Sequence, residues 1–81
     1  MKIAETYTYY VIYNITKEEY YSDIVDVGHY RIEYKFNKLI SEAILYNTRK
    51  EANEDIREWI NRNSTDKYIV KKIRLDYSIN N

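Results

Sequence analysis

The chain of 81 residues is 44% hydrophobic and 32% charged, a mix typical of a folded protein, and its length predicts one domain, residues 1–81, with a small core. Thirteen basic and 13 acidic residues leave no net charge, so no whole-protein field attracts nucleic acid and the chain is not a uniformly acidic nucleic-acid mimic. The absence of Cys and the presence of only 1 His exclude thiol and zinc chemistry.

The first predicted element is a long strand from Ile3 to Ile15, because its residues alternate and are rich in Tyr, Thr, Val and Ile. One face carries Tyr7, Tyr9, Val11, Tyr13 and Ile15, and the other carries Thr6, Thr8, Tyr10, Ile12 and Asn14. A single helix covers only one face of a sheet, so we expect some of the 11 tyrosines to be exposed or to contact a partner.

Three shorter segments follow this strand. Acidic and apolar residues mix between Thr16 and Gly28, and we interpret this segment as a connecting loop, with a short helical turn or an added strand as alternatives. Strict alternation from His29 to Phe36 predicts a half-buried strand that is antiparallel to the first. The apolar residues from Ala43 to Tyr46 predict a short third strand.

Thr48 and Glu51 mark the start of a helix, because a Thr three residues before a Glu forms a capping box. The apolar stripe of this helix consists of Ala52, Ile56, Trp59 and Ile60. We expect the stripe to pack on the sheet, and docking into a partner's groove is the alternative. Glu58 and Arg62 should form an ion pair on the solvent-exposed side of the helix. The helix should end near Asn63.

A final strand is predicted from Lys67 to Ser78. Two groups of alternating apolar residues lie in it: Tyr68 and Val70, and then Ile73, Leu75 and Tyr77. The first two are out of phase with the last three, which predicts a bulge near Lys71 and Lys72. The order β-β-β-α-β indicates an α+β fold, a three- to four-stranded and mainly antiparallel sheet with one amphipathic helix on one face.

Two patterns could indicate catalysis. Glu33 and Lys35 share a strand face just after Asp26, as in nucleases whose carboxylates hold Mg²⁺ while a lysine orients water. Alternating charges on the solvent-exposed face of a strand produce the same sequence pattern, and we favour that interpretation. His29 could be a general base, but no Ser or Cys is placed as its partner, so a surface position is favoured. We therefore predict no enzymatic activity, catalytic residue, metal or cofactor.

The last strand is basic and carries aromatic residues. Its cations are Lys67, Lys71, Lys72 and Arg74, and its tyrosines are Tyr68 and Tyr77. These side chains could bind a nucleic-acid backbone and stack on its bases. A solvated edge strand protected by lysines is the interpretation that we favour.

The acidic segment after Lys17 carries most of the predicted partner-binding residues. They are Glu18, Glu19, Tyr20, Tyr21, Asp23 and Asp26, together with Tyr10 of the first strand. Exposed tyrosines bind proteins well, and the acids could compete for a basic groove that normally holds nucleic acid. A mobile loop without a partner is the alternative interpretation, and a homodimer formed through an open strand edge is a further one.

The N-terminal residues MKIAETYTYY lack the long apolar segment of a signal peptide, and the longest apolar run, Tyr9 to Tyr13, cannot span a bilayer. The absence of Cys gives no sign of an oxidising compartment. We expect a cytoplasmic protein with no membrane partner.

Four segments carry a resemblance: TYTYYVIYNIT, the acidic stretch with Tyr20 and Tyr21, EAILYNTRKEANEDI and KYIVKKIRL. Together they resemble small accessory proteins of phages and prophages of AT-rich Gram-positive bacteria. Ile, Asn, Lys and Tyr, which have AT-rich codons, fill nearly half of the chain. The resemblance implies a viral inhibitor of the anti-CRISPR or another anti-defence kind, which binds a larger bacterial protein and performs no chemistry on it. It transfers no site residues.

Overall fold

A computed structural model of the chain describes the backbone of residues 2–29 and 31–80 and the side chains of residues 6–29, 32–62 and 64–76. The strands in these ranges are β1 (Lys2–Asn14), β2 (Glu19–Gly28), β3 (Arg31–Asn37) and β4 (Tyr68–Asn80), and the α-helix is α1 (Arg49–Asp55). They form one sheet in the order β3-β2-β1-β4, with every neighbouring pair antiparallel. The predicted α+β fold with β-β-β-α-β order is confirmed.

The pairing of β1 with β4 is the longest in the sheet. It runs without a break from Lys2 opposite Asn80 to Asn14 opposite Tyr68. The predicted bulge at Lys71 and Lys72 is therefore wrong, although the apolar residues of β4 do change face. They change because the strand is covered by different elements along its length.

Two elements cover β4. Tyr68 and Val70 pack against the core beneath the helix. Farther along the strand, Ile73 and Leu75 line an apolar groove of about 290 Å³ together with the segment that precedes the helix. The residues of that segment at the groove are Ile40, Ser41, Ala43 and Leu45. The shift in apolar phase thus marks a change of covering element and not an inserted residue.

The segment that we interpreted as a loop is a strand, β2. It pairs along β3, and the register shifts between Tyr21 and Asp23 and again between Asp26 and Gly28. Each shift inserts a residue that breaks the alternation of apolar and polar side chains, which is why the sequence hides the strand. Because β3 is antiparallel to β2, it runs parallel to β1, contrary to our prediction.

The predicted third strand, Ala43–Tyr46, is reduced to a single bridge. The backbone N–H groups of Tyr10 and Tyr46 each donate to the other residue's carbonyl oxygen, at 2.9 and 2.8 Å. The residues before the bridge form a 3₁₀ turn, Ile40–Glu42. This bridge occupies the edge of β1 beyond the point where β2 diverges from it, since β2 pairs with β1 only at Tyr13 and Asn14.

The helix begins as predicted, because the Thr48 side chain accepts a hydrogen bond from the Glu51 N–H at 3.2 Å. After α1 the chain continues through a π-helical turn, Ile56–Ile60, and a 3₁₀ turn, Asn61–Asn63, so the predicted end near Asn63 is confirmed.

The π-helical turn changes which side chains face the sheet. Ala52 and Ile60 are buried, but Trp59 is 52% exposed, so its predicted place in the core is wrong. The π-helical turn has more residues per turn than an α-helix and so rotates Trp59 out of the apolar stripe. The predicted pair of Glu58 with Arg62 is also replaced: Glu58 lies 3.7 Å from Arg57, and the Arg62 guanidinium lies 5.8 Å from the centre of the Trp59 ring.

The sheet curls around its core. The buried core residues are Ile12, Tyr21, Tyr46, Ala52 and Ile60. Phe36 of β3 and Tyr68 of β4 stack at 5.9 Å between ring centres, although β2 and β1 lie between their strands. Neighbouring strands are about 4.8 Å apart, so in a flat sheet these rings would be separated by roughly 14 Å. The curl brings the two outer strands toward each other on the side that the helix covers.

We predict that Thr48→Ala lowers the free energy of unfolding by about 1 kcal/mol, because the Glu51 N–H loses its partner at the start of the helix. Urea unfolding followed by circular dichroism measures this change. Thr65→Ala, in the exposed segment after the helix, is the matched control and should change the value by less than about 0.5 kcal/mol. Equal losses in both variants would show that the cap does not stabilise the helix.

Candidate binding surface

The sheet face that points away from the helix carries a row of tyrosines. Tyr7, Tyr9 and Tyr13 alternate along β1 with residues that face the helix, and Tyr20 of β2 lies directly opposite Tyr13. We call the surface formed by these four side chains the tyrosine face. Tyr7 is 42% exposed and the other three are half-buried. Strand alternation thus leaves on this face the tyrosines that the core does not use.

The centre of the tyrosine face is an aromatic pair with a lysine over it. The rings of Tyr13 and Tyr20 are 4.9 Å apart, as expected for side chains directly opposite each other on antiparallel strands. The Lys71 ammonium lies 3.6 Å from the centre of the Tyr13 ring and 5.7 Å from that of Tyr20, which is cation–π geometry. The two rings and the lysine stem therefore hold one another in place.

Apolar side chains surround this centre. Ile15 and Ile69 are each at least 40% exposed, and Tyr7 stacks beside Tyr9 at 6.4 Å. Val11 lies between Tyr9 and Tyr13 in the same strand face and is 0% exposed. Aromatic and aliphatic side chains thus form the outer layer of this surface, and the buried Val11 lies beneath them.

The surroundings of the Tyr13 phenol favour its neutral form. Partial burial raises the pKa of Tyr13, and the Glu18 carboxylate and the Tyr20 phenol raise it further. A neutral phenol can donate a hydrogen bond to a partner as well as accept one. The chemistry that this surface offers is therefore hydrogen bonding and ring contact.

The predicted aromatic site residues lie in different places. Tyr20 is on the tyrosine face, but Tyr21 is 4% exposed and belongs to the core, so its predicted place on a binding surface is corrected. Adjacent residues of a strand point to opposite faces, and Tyr21 therefore packs against Tyr34 and Phe36 at ring distances of 5.9 and 5.8 Å. Tyr10 is half-buried on the helix side, where the Arg49 guanidinium lies 5.2 Å from its ring centre.

The predicted acidic residues do not form one patch. Glu18 lies in the turn between β1 and β2 with a positive φ of 58°, close enough to Tyr13 to influence its pKa, and Glu19 is half-buried. Asp23 and Asp26 are exposed farther along β2, where each accepts a backbone N–H, from Ile24 at 2.8 Å and from Gly28 at 2.9 Å. At about 3.3 Å per strand residue, the four acids are spread over roughly 26 Å.

The predicted basic residues are divided between the two sheet faces. Lys72 and Arg74 pair with Tyr10 and Thr8, which places them on the helix side, and Arg74 contacts Asp76 at 3.5 Å. Lys71 pairs with Val11 and so lies on the tyrosine face, and by alternation Lys67 lies there too. β4 is an edge strand, in agreement with the interpretation that we favoured. The Arg49 guanidinium donates a hydrogen bond to the carbonyl oxygen of Val70 on this edge, at 3.2 Å.

The residues of the nuclease pattern do not converge. Glu33 and Lys35 share a face and pair with each other at 3.1 Å, but Asp26 lies opposite Ile32 and therefore points to the other side of the sheet. His29 is exposed in the turn between β2 and β3, with a positive φ of 53°. Among the described side chains, no group of three His, Asp or Glu could hold a metal ion. No helix in the described ranges has the length and apolar character needed to cross a membrane.

A second concavity, a groove of about 310 Å³, lies between β3 and β4 on the helix side. Its lining combines aromatic residues with Glu33, Asp66 and Lys17. Each of these charges already has a partner within the protein, because Glu33 pairs with Lys35 and Asp66 pairs with Lys17 at 3.7 Å. The groove therefore offers a ligand less unpaired chemistry than the tyrosine face does.

Tyr7, Tyr9 and Tyr13 are the residues of this surface that we did not predict as binding residues, and Lys71 was predicted only as a contact to nucleic acid. The alternation along β1 places Tyr13 beside Tyr9, but the cation–π contact depends on the pairing of β1 with both β2 and β4. A search of family models, curated proteins and solved structures found no match to this chain. The function is therefore inferred from the surface itself.

We predict that stability falls as pH rises from about 10 to about 12. Burial, and then the carboxylate of Asp55, raise the pKa of Tyr21 to about 12, whereas an unfolded tyrosine has a pKa near 10. As pH rises, the Tyr21 phenol loses its proton in the unfolded chain before it does in the folded protein. The contribution of the buried neutral phenol to stability is therefore complete below pH 10 and is lost as pH approaches 12. Urea unfolding at several pH values should show a shallower decline for Tyr21→Phe than for the wild type. Equal slopes would contradict the burial of this phenol.

Proposed function

We propose that the chain is a non-catalytic binding protein that docks its tyrosine face onto a larger protein. The observation that carries this proposal is the row of tyrosines on the sheet face opposite α1, where residues 40–45 lie only beside Ile73 and Leu75. A soluble protein has little reason to place its largest apolar side chains on an open surface unless another molecule covers them.

The construction of the surface favours tight contact. Tyrosine supplies a large apolar ring and a polar hydroxyl at a low cost in conformational entropy, and it is enriched among the residues that dominate binding energies. Here the rings of Tyr13 and Tyr20 are already ordered by each other and by Lys71. A partner therefore does not have to immobilise them, which lowers the cost of association.

The resemblance to phage accessory proteins, with the AT-rich amino-acid usage, supports a bacterial defence protein as the target. In this proposal the chain acts as a viral inhibitor of the anti-CRISPR kind in the cytoplasm of the host. Glu18, beside the tyrosine face, is the acid best placed to compete with nucleic acid for a basic groove on such a target.

The test is capture of a target by the immobilised chain from a lysate of an AT-rich Gram-positive bacterium, with mass spectrometry of the retained protein. We expect Tyr13→Ser combined with Tyr20→Ser to weaken retention at least tenfold, since each loss of a binding hot spot costs about 2 kcal/mol or more. Asp26→Asn is the control, because Asp26 lies opposite Ile32 and points to the other side of the sheet, and it should retain the target. Equal retention by wild type and the tyrosine variant would contradict the proposal.

Single-stranded nucleic acid is a second candidate ligand for the same surface. The observation in its favour is that Lys71 lies on the tyrosine face and that Lys67, whose carbonyl oxygen accepts the Ile15 N–H, directly precedes β4. Bases could stack on the rings while these lysines contact phosphates.

Fluorescence anisotropy with a labelled oligothymidine tests this second candidate. If it is correct, binding weakens steeply as salt is raised, and Lys67→Glu with Lys71→Glu abolishes it. The matched pair Lys72→Glu with Arg74→Glu, on the opposite face, should leave binding nearly intact. Absent or salt-insensitive binding would exclude this candidate.

A further inference from the structure

Lys71 differs from the other lysines of the protein. Among the lysines whose side chains the structure describes, Lys71 alone is half-buried. The exposed ones are Lys17, Lys35, Lys38, Lys50, Lys67 and Lys72. An ammonium group loses hydration when it is partly buried, and this cost is normally repaid by a carboxylate and hydrogen bonds.

Among the side chains that the structure describes, no carboxylate forms an ion pair with Lys71. The ion pairs among the described side chains involve Lys17, Lys35, Arg57 and Arg74 as cations. The ammonium of Lys71 instead contacts the rings of Tyr13 and Tyr20. Ring faces attract a cation but do not satisfy three N–H donors as oxygen acceptors do. Lys71 is therefore a fixed, partly dehydrated cation with donor capacity left over.

We propose that Lys71 binds a carboxylate in an acidic segment of the protein partner, an inference that rests on the proposed docking of the tyrosine face. The neighbouring surface fits what would surround such a group. Ile15, Ile69 and the tyrosine rings offer apolar contact on either side of the ammonium. The segment that fits here carries an Asp or Glu flanked by apolar or aromatic side chains. Exclusion of water by these neighbours strengthens the ion pair.

The charges on this face favour a single carboxylate over a chain of phosphates. A nucleic-acid strand brings one negative charge per nucleotide and needs several cations in a row. The tyrosine face offers Lys71 and the exposed Lys67, and Glu18 lies beside Tyr13. A single carboxylate needs only the one ammonium of Lys71, whereas the successive charges of a phosphate backbone would exceed the cations available and extend past Glu18.

Panning of a random peptide library displayed on phage tests this inference without knowledge of the partner. Wild type, Lys71→Met and Lys71→Glu are the baits, and Tyr13→Ser with Tyr20→Ser removes peptides that bind elsewhere. We expect peptides selected on the wild type to be enriched in Asp or Glu next to apolar residues and to bind Lys71→Met at least tenfold more weakly. Lys71→Glu should instead select Lys or Arg at the same position.

The outcomes separate this inference from the proposed function. Peptides that need Tyr13 and Tyr20 but show no acidic enrichment, and that bind Lys71→Met equally well, would overturn the role of Lys71 and leave the tyrosine face as the docking surface. A wild type that selects no tyrosine-dependent peptide would count against both. Selected peptides without acids that are displaced by oligothymidine would assign Lys71 to phosphate. Urea unfolding of each bait establishes that it is folded, and Lys71→Gln replaces any bait that is not.

Discussion

The unbroken pairing of β1 with β4 is the constraint on which the rest of the structure depends. It holds in the middle of the sheet a strand with large apolar side chains on both faces, and the helix, with the turns that follow it, covers only one of them. The helix side becomes the core around Ile12, and the opposite side keeps Tyr7, Tyr9 and Tyr13. The tyrosine face is therefore a direct result of how the core is built, because each side chain that β1 turns toward the helix leaves its neighbour on the opposite face.

The buried and half-buried polar groups of the protein find partners in two different ways. Asn14 is fully buried and donates to Asp66 at 2.9 Å, while its own side-chain oxygen accepts the Lys17 N–H at 3.0 Å. Asp66 in turn pairs with Lys17, so this network is complete within the chain. Lys71, on the other face of the same strand pair, makes cation–π contacts with Tyr13 and Tyr20 and forms no ion pair with a described side chain. The contrast separates a polar group that stabilises the fold from one whose remaining bonds are available to a partner.

Local patterns predicted what depends on local structure. The alternation of β1 and the Thr48 cap are set by neighbouring residues, and both are confirmed. The register shifts that hide β2 and the π-helical turn that exposes Trp59 each add a residue to a regular period, so periodicity arguments fail there. The tyrosine face was only half predicted. β1 indicated that tyrosines would be exposed, but the roles of Tyr20 and Tyr21 depend on which face β2 turns toward the core, and that is fixed by long-range pairing.

Tyr20 and Tyr21 are adjacent but lie in opposite environments, so they provide the most direct measurement of the central claim. This claim is that one face of the sheet forms the core and the other carries accessible tyrosines. Nitration of the native protein with tetranitromethane, mapped by fragmentation mass spectrometry, compares Tyr20 with Tyr21 in the same molecule. We expect Tyr20 to react while Tyr21 stays protected until the protein is unfolded in urea, since Tyr21 is 4% exposed. Equal nitration of the two residues in the folded protein, or faster reaction at Tyr21, would contradict the assignment of the two faces.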